Sequence, residues 1–185
     1  MSPATAAPTN TTREFQLVTK VKPGQRAAAK AFNKMPVFIS LGGTYGYDLQ
    51  VVAPKYKVPK QFFRLDPRGP GLTANKGQPL NVMVAIPNET GRLEYNVTVS
   101  LDSSYSDWSP MRANASATSL AQGSFLFDGN GLQLWRGSDT GAYSRGWLVC
   151  NWAKSSPQLF ARLQANEGAE RPSSCADVWL MPKYV

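Results

Sequence analysis

Apolar side chains recur at every second residue on both sides of a turn in residues 80–101, and this pattern constrains the fold more than any other feature. The apolar positions are Leu80, Val82, Val84 and Ile86, then Tyr95, Val97, Val99 and Leu101. Pro87–Gly91 between the two runs consists largely of turn-forming residues. A period of two is typical of strands that bury one face, so the segment predicts a β-hairpin.

Further short strands are predicted after residue 34, in segments rich in aromatic and β-branched residues. They lie at 36–41, 45–52, 62–63, 125–134 (a second hairpin), 147–152, 159–163 and 178–181. Frequent prolines between 54 and 70 restrict the strand at Phe62–Phe63 to a sheet edge, and 102–122 is predicted to be a polar loop. About eight strands without a helical period predict an all-β fold, a single jelly-roll β-sandwich over residues 35–185.

The net charge of +8 arises entirely before residue 69, because later residues carry equal numbers of each sign. Three acidic residues accompany the cations in this first part of the chain. The cations are Arg13, Lys20, Lys22, Arg26, Lys30, Lys34, Lys55, Lys57, Lys60, Arg64 and Arg68. A basic front joined to a neutral body is expected where one segment binds a polyanion.

Residues 1–34 are predicted to be a disordered, basic arm in front of the sandwich. Residues 1–12 carry no charge and no aromatic side chain, so they cannot bury enough surface to fold. Pro23 and Gly24 interrupt the basic part, and only 26–32 favours a helix. The alternative is a helix that docks on the core through Phe32.

The absence of histidine excludes most enzyme classes. Ser-His-Asp and Cys-His nucleophiles and imidazole-based zinc sites all need that residue. No phosphate-binding Gly-rich loop of the P-loop kind occurs, and Asp102 and Asp107 are more typical of loop residues than of a catalytic pair. We therefore expect no catalytic residue, no metal site, no cofactor and no enzyme.

The two cysteines and the first residues of the chain indicate the cellular compartment in which the protein is expected. Cys150 and Cys175 alone do not make a disulfide framework in a chain of this length, so we expect free buried thiols. No apolar run is long enough to cross a membrane, and the first residues lack the regions of a signal peptide. The expectation is an intracellular protein without a membrane partner.

Five short segments, taken in order, resemble one group of viral proteins. They are Ser40–Thr44 (SLGGT), Gly69–Leu72 (GPGL), Leu80–Gly91, Gln122–Phe125 (QGSF) and Asp177–Trp179 (DVW). The chain resembles the coat proteins of alfalfa mosaic virus, the ilarviruses and the oleaviruses, in the family Bromoviridae. This resemblance implies a capsid protein that assembles with copies of itself, with dimers as building blocks, and is found in the virion and, during assembly, the host cytoplasm. It also implies that residues 181–185 clamp a neighbouring subunit.

The basic first part of the chain and the resemblance to viral coat proteins both predict RNA packaging. All eleven cations named above are predicted to bind phosphates of single-stranded RNA, those of the arm directly and those between Lys55 and Arg68 along the same inner surface. Phe15 and Phe32 are predicted to stack on bases. The alternative is a carbohydrate-binding β-sandwich that uses Tyr105, Trp108 and Tyr143 as sugar platforms.

Overall fold

A computed structural model of the chain describes residues 13–40, 47–57, 61–66, 81–99, 108–114, 124–135, 146–152, 156–162 and 171–185. This part of the chain is built almost entirely from β-strands. The strands are β1 (Phe15–Val21), β2 (Val37–Ser40), β3 (Tyr47–Val51), β4 (Phe62–Asp66), β5 (Asn81–Asn88), β6 (Gly91–Val99), β7 (Trp108–Asn114), β8 (Ser124–Asp128), β9 (Gly131–Trp135), β10 (Trp147–Cys150), β11 (Gln158–Arg162) and β12 (Cys175–Tyr184). One 3-10 helix, η1 (Ala27–Phe32), follows β1.

Ten of the strands form one antiparallel sheet in the order β10-β12-β1-β4-β5-β6-β7-β11-β3-β2. β10 also pairs with β11, so eight of these strands form a closed ring that encloses the core. β3 and β2 are not part of the ring, and β3 joins it through β7 and β11. β8 and β9 form a separate hairpin. The predicted all-β class is confirmed, and the described residues contain more strands than the sequence indicated.

The predicted hairpin at 80–101 is present as β5 and β6. Its register runs from Met83 opposite Asn96 to Asn88 opposite Gly91. Gly91 has a φ of 138°, which L side chains rarely adopt. The alternating apolar residues between Val82 and Val99 are buried as predicted, with Val84 and Val99 at most 1% exposed, and Leu80 and Leu101 lie outside the described residues.

The core is a cluster of aliphatic side chains around stacked aromatic rings. Phe125 and Trp147 stack with ring centroids 6.3 Å apart, and the indole Nε1 of Trp147 donates a hydrogen bond to the Leu132 carbonyl at 2.6 Å. That bond satisfies the polar atom of a fully buried indole. The β8–β9 hairpin thereby attaches to the closed sheet.

The structure corrects the expectation of a flexible arm for residues 13–34. β1 pairs with β12 along its whole length, from Phe15 opposite Tyr184 to Val21 opposite Val178. Phe15 and Leu17 are each 1% exposed, because alternate residues of β1 point into the core. η1 docks on the core through Ala29 and Phe32, which agrees with the alternative of a docked helix. Residues 1–12 lie outside the described residues.

Two further expectations about strands were wrong. β4 lies between β1 and β5 rather than at an edge, because the nearby prolines fall outside Phe62–Asp66. β7 crosses the stretch predicted to be a polar loop and accommodates Pro110 opposite Phe160. Residues 181–184 belong to β12 and pair with β1 of the same chain, and the expected clamp of residues 181–185 on a neighbouring subunit stays a prediction.

Cys150 and Cys175 form a disulfide with an S–S distance of 2.02 Å, which corrects the expectation of free thiols. The two residues lie directly opposite each other on β10 and β12. They are 25 residues apart in sequence, so their proximity comes from the sheet register and is not visible in the spacing. Disulfides persist in oxidising compartments and on virion surfaces but are rare in the cytosol.

Among the described residues, no helix combines the length and the apolar composition needed to span a membrane.

Replacement of Phe15 by alanine tests the docking of β1. The ring of Phe15 contacts those of Phe63, Phe127 and Tyr184, so its loss leaves a cavity and we expect the free energy of unfolding to fall by about 3–5 kcal/mol. Gln16→Ala is the control, because Gln16 points away from the core, and should change stability by less than about 0.5 kcal/mol. Urea titration measures both. Equal stability of the two variants would show that β1 is not part of the core.

Removal of the disulfide tests the covalent link between β10 and β12. Cys150→Ala combined with Cys175→Ala should lower the free energy of unfolding by roughly 3 kcal/mol, because the unfolded chain is no longer constrained by the loop that the bond closes. The wild-type protein should lose a similar amount under reducing conditions, whereas the double variant should be indifferent to reductant. Two titratable thiols in the unreduced wild-type protein would contradict the assignment.

Candidate anion-binding surface and adjacent pocket

Most of the predicted arm cations lie on one short folded segment. We call residues 20–34, the end of β1 together with η1 and its flanking turns, the basic segment. Its exposed cations are Lys20, Arg26, Lys30 and Lys34, and Lys22 is half-buried. The structure therefore keeps the predicted cations close together, although on a fixed backbone rather than on a mobile one.

Backbone hydrogen bonds close the basic segment into a loop that returns to its own start. The Lys34 amide donates to the Thr19 carbonyl at 2.7 Å, and the Val21 amide donates to the Asn33 side-chain oxygen at 3.1 Å. The Thr19 hydroxyl accepts from the Met35 amide at 2.9 Å and donates to the Phe32 carbonyl. Lys34 has a φ of 60°, in the left-handed region, where the chain reverses. These bonds fix where the cations are displayed.

The exposed cations of the basic segment have no carboxylate partner among the described residues. By contrast, every described arginine from residue 64 onward is ion-paired. These pairs are Arg64 with Asp66 and Glu94, Arg92 with Glu14, Arg112 with Asp48, and Arg162 and Arg171 with Asp177. Lys20 instead lies over the Trp179 ring, with its Nζ 5.1 Å from the centroid. The basic segment thus brings four exposed cations, none paired with a described carboxylate, into fifteen consecutive residues, where they are available to an external anion.

The other predicted phosphate-binding residues are not all placed on this surface. Lys55 and Lys57 are exposed in the turn after β3, whereas the guanidinium of Arg64 is 2.8 Å from a Glu94 carboxylate oxygen. Arg13 is exposed, and its guanidinium lies 4.3 Å from the Tyr184 ring centroid. Lys60 and Arg68 lie outside the described residues.

A half-buried cluster of charges borders the basic segment. Asp177 pairs with Arg162 at 2.7 Å and with Arg171 at 2.6 Å. Its backbone is hydrogen-bonded to the Gln25 side chain, whose Oε1 accepts from the Asp177 amide at 2.8 Å. Burial lowers the pKa of Lys22, an effect that nearby Arg162 reinforces and Asp177 opposes. Among the described residues, two arginines and one lysine thus surround one carboxylate.

A pocket of about 370 Å³ opens between η1 and the turn before β12. Ala29, Phe32, Met35 and Pro157 form much of its apolar lining. Polar groups come from Asn151, Ser173 and Ser174, while Arg26 and Arg171 contribute guanidinium groups. A concave, mostly apolar site with a few polar groups is the usual form of a small-ligand site.

Both sides of the pocket are held in place by the fold. The Met35 carbonyl accepts from the Thr19 amide and the Met35 amide donates to the Thr19 hydroxyl, which fixes the side formed by η1. On the opposite side, the Asn151 amide donates to the Ser174 carbonyl at 3.0 Å, and the disulfide joins Cys150 to Cys175 in the lining. The pocket is therefore preformed.

Sequence reasoning missed the arginine–aspartate cluster and the pocket. Asp177 and Gln25 are 152 positions apart, and no local pattern indicates that they meet. The Asp177–Trp179 segment is the one signal in the sequence, and it indicates a resemblance rather than a charge cluster. Arg162 and Arg171 belong to the part of the chain after residue 68, which carries no net charge.

The aromatic residues proposed as ligand platforms have different outcomes. Phe15 is buried in the core and cannot stack on a base, whereas Phe32 lines the pocket. Trp108 is half-buried and packs against Trp152, with ring centroids 6.4 Å apart. Tyr105 and Tyr143 lie outside the described residues, so the carbohydrate alternative stays a prediction.

In the part of the chain that the structure describes, no three acidic or cysteine side chains are grouped as a metal site would require. No curated protein matches the sequence. A family model described as "Domain of unknown function (DUF7907)" matches residues 12–184, from just before β1 to the end of β12. The chain therefore belongs to the DUF7907 family.

Proposed function

We propose that the protein binds single-stranded RNA through phosphate contacts made by the basic segment. The observation that carries the proposal is the concentration of four exposed cations without a described carboxylate partner within residues 20–34, whereas the described arginines from Arg64 onward are ion-paired. Lys and Arg side chains gain affinity for a nucleic acid by releasing its condensed counterions. Single strands suit a curved, folded loop because their backbone adapts to the surface.

The biological setting of this binding, as the resemblance implies, is a virus particle in which copies of the chain form a shell around the RNA. Jelly-roll connectivity, dimers as building blocks and presence in the virion are parts of this proposal. The all-β fold is compatible with it. Contact of residues 181–185 with a neighbouring subunit is also part of this proposal, since Tyr184 and Val185 are exposed while the backbone of residues 181–184 pairs with β1. The disulfide suits a particle exposed to oxidising surroundings better than long residence in a reducing cytoplasm.

The salt dependence of RNA binding tests the phosphate contacts. If Lys20, Arg26, Lys30 and Lys34 each neutralise a phosphate, log affinity should fall against log salt with a slope of about −3, from roughly 0.7 ions per contact on a single strand. Lys30→Gln should make the slope shallower by about 0.7. Fluorescence anisotropy with a labelled oligouridylate at several salt concentrations measures both values.

Lys183→Gln is the matched control for that measurement. Lys183 is also an exposed lysine, but it lies opposite Gln16 at the other end of β1 from the basic segment. This variant should keep the wild-type slope. A slope near zero in the wild-type protein, or an equal effect of the two lysine variants, would refute the assignment of binding to the basic segment.

Sedimentation of the purified protein tests the shell. Self-assembly predicts large particles whose ultraviolet spectrum shows bound RNA and which are visible by electron microscopy. A protein that remains monomeric with added RNA over a wide concentration range would contradict shell formation. That result would leave RNA binding by the basic segment to be decided by the salt titration.

A further inference from the structure

The pocket beside the basic segment has an apolar lining, which phosphate binding alone does not use. Phe32, Met35 and Pro157 present apolar surface inside it, and phosphates gain nothing from such contacts. Arg26 is common to both features, because it belongs to the basic segment and lines the pocket. A single RNA strand bound along the basic segment therefore passes the mouth of the pocket.

The charge around the mouth favours an anionic ligand. In the part of the chain that the structure describes, Lys22, Arg26, Arg162 and Arg171 lie on this side of the fold together with the carboxylate of Asp177. Asp177 holds Arg171 through one carboxylate oxygen and Arg162 through the other. The guanidinium of Arg171 is thereby oriented in advance, and an oriented guanidinium is well suited to a phosphate oxygen.

The size and lining of the pocket match one nucleotide better than a longer apolar chain. A volume of about 370 Å³ is at the small end of the range for ligand sites. A nucleobase has two apolar faces and a polar edge. Phe32 and Met35 can contact such faces, and the amide of Asn151 and the hydroxyls of Ser173 and Ser174 can serve the edge.

We infer that this pocket takes one unstacked base of the single strand whose phosphates the basic segment binds. In this arrangement the base stacks on Phe32, and Arg26 and Arg171 contact the phosphate that flanks it. The inference rests on the proposed RNA binding and adds to it a site that reads a base. It implies that the protein binds base-containing strands more tightly than the sugar-phosphate backbone alone.

A comparison of an oligouridylate with an abasic RNA oligomer of the same length tests the inference. Both carry the same phosphates, so the basic segment should bind both with the same salt slope. The wild-type protein should bind the oligouridylate more tightly, by roughly 5- to 150-fold, which is the value of stacking one base on an aromatic side chain. Phe32→Ala should remove that preference and leave affinity for the abasic strand unchanged.

Two further variants keep the test decisive. Phe62→Ala is the matched control, because Phe62 is also half-buried but lies on β4 and does not contribute to the pocket. Ala31→Leu fills the pocket from an exposed position of η1 without removing a core contact, so it should abolish the base preference even if Phe32→Ala fails to fold.

The outcomes separate this inference from the function on which it rests. Equal, salt-dependent binding of both strands by the wild-type protein would overturn the pocket assignment and leave phosphate binding in place. Binding of neither strand would overturn the proposed function and the pocket assignment together. A base preference that survives in both Phe32→Ala and Ala31→Leu would place base recognition elsewhere and overturn the inference.

Discussion

Antiparallel pairing of β1 with β12 is the interaction on which the rest of the structure depends. It joins all seven residues of β1 to the last strand of the chain, and β12 pairs with β10 on its other side. Contacts between residues this distant in sequence cost much conformational entropy, because they close a long loop. Burial of Phe15 and Leu17 from β1, and of Val178 and Leu180 from β12, offsets it.

β12 also positions the candidate site. Alternate side chains of β12 point to opposite faces, so one set enters the core and the other set borders the site. Ala176, Val178 and Leu180 are fully buried, while the residues between them point to the other face. On that face Cys175 lines the pocket and Asp177 holds two arginines. The alternation that places the core side chains thus also places the residues that border the basic segment.

The sequence allowed the β-hairpin at β5 and β6 to be predicted because its alternation persists over many residues. β1 has the same alternation, but only Phe15 and Leu17 mark its buried face before the polar Thr19. Burial of Thr19 becomes acceptable only through hydrogen bonds with Phe32 and Met35. The cations of this segment could be identified from composition, but their fixed display, the disulfide and the Asp177 cluster depend on a register that no local pattern encodes.

A folded basic surface and a flexible arm bind nucleic acid under different physical constraints. An arm can follow a polymer over a long path, but it loses conformational entropy when it becomes ordered. The basic segment has already lost that entropy on folding, since the Lys34 amide is bonded to the Thr19 carbonyl and the Val21 amide to the Asn33 side chain. Each of its contacts therefore contributes more of its energy to affinity. A folded segment also reaches only a short distance. Any preference among RNA ligands must therefore come from side chains close to it. The apolar pocket supplies such side chains, because Arg26 belongs both to its lining and to the basic segment.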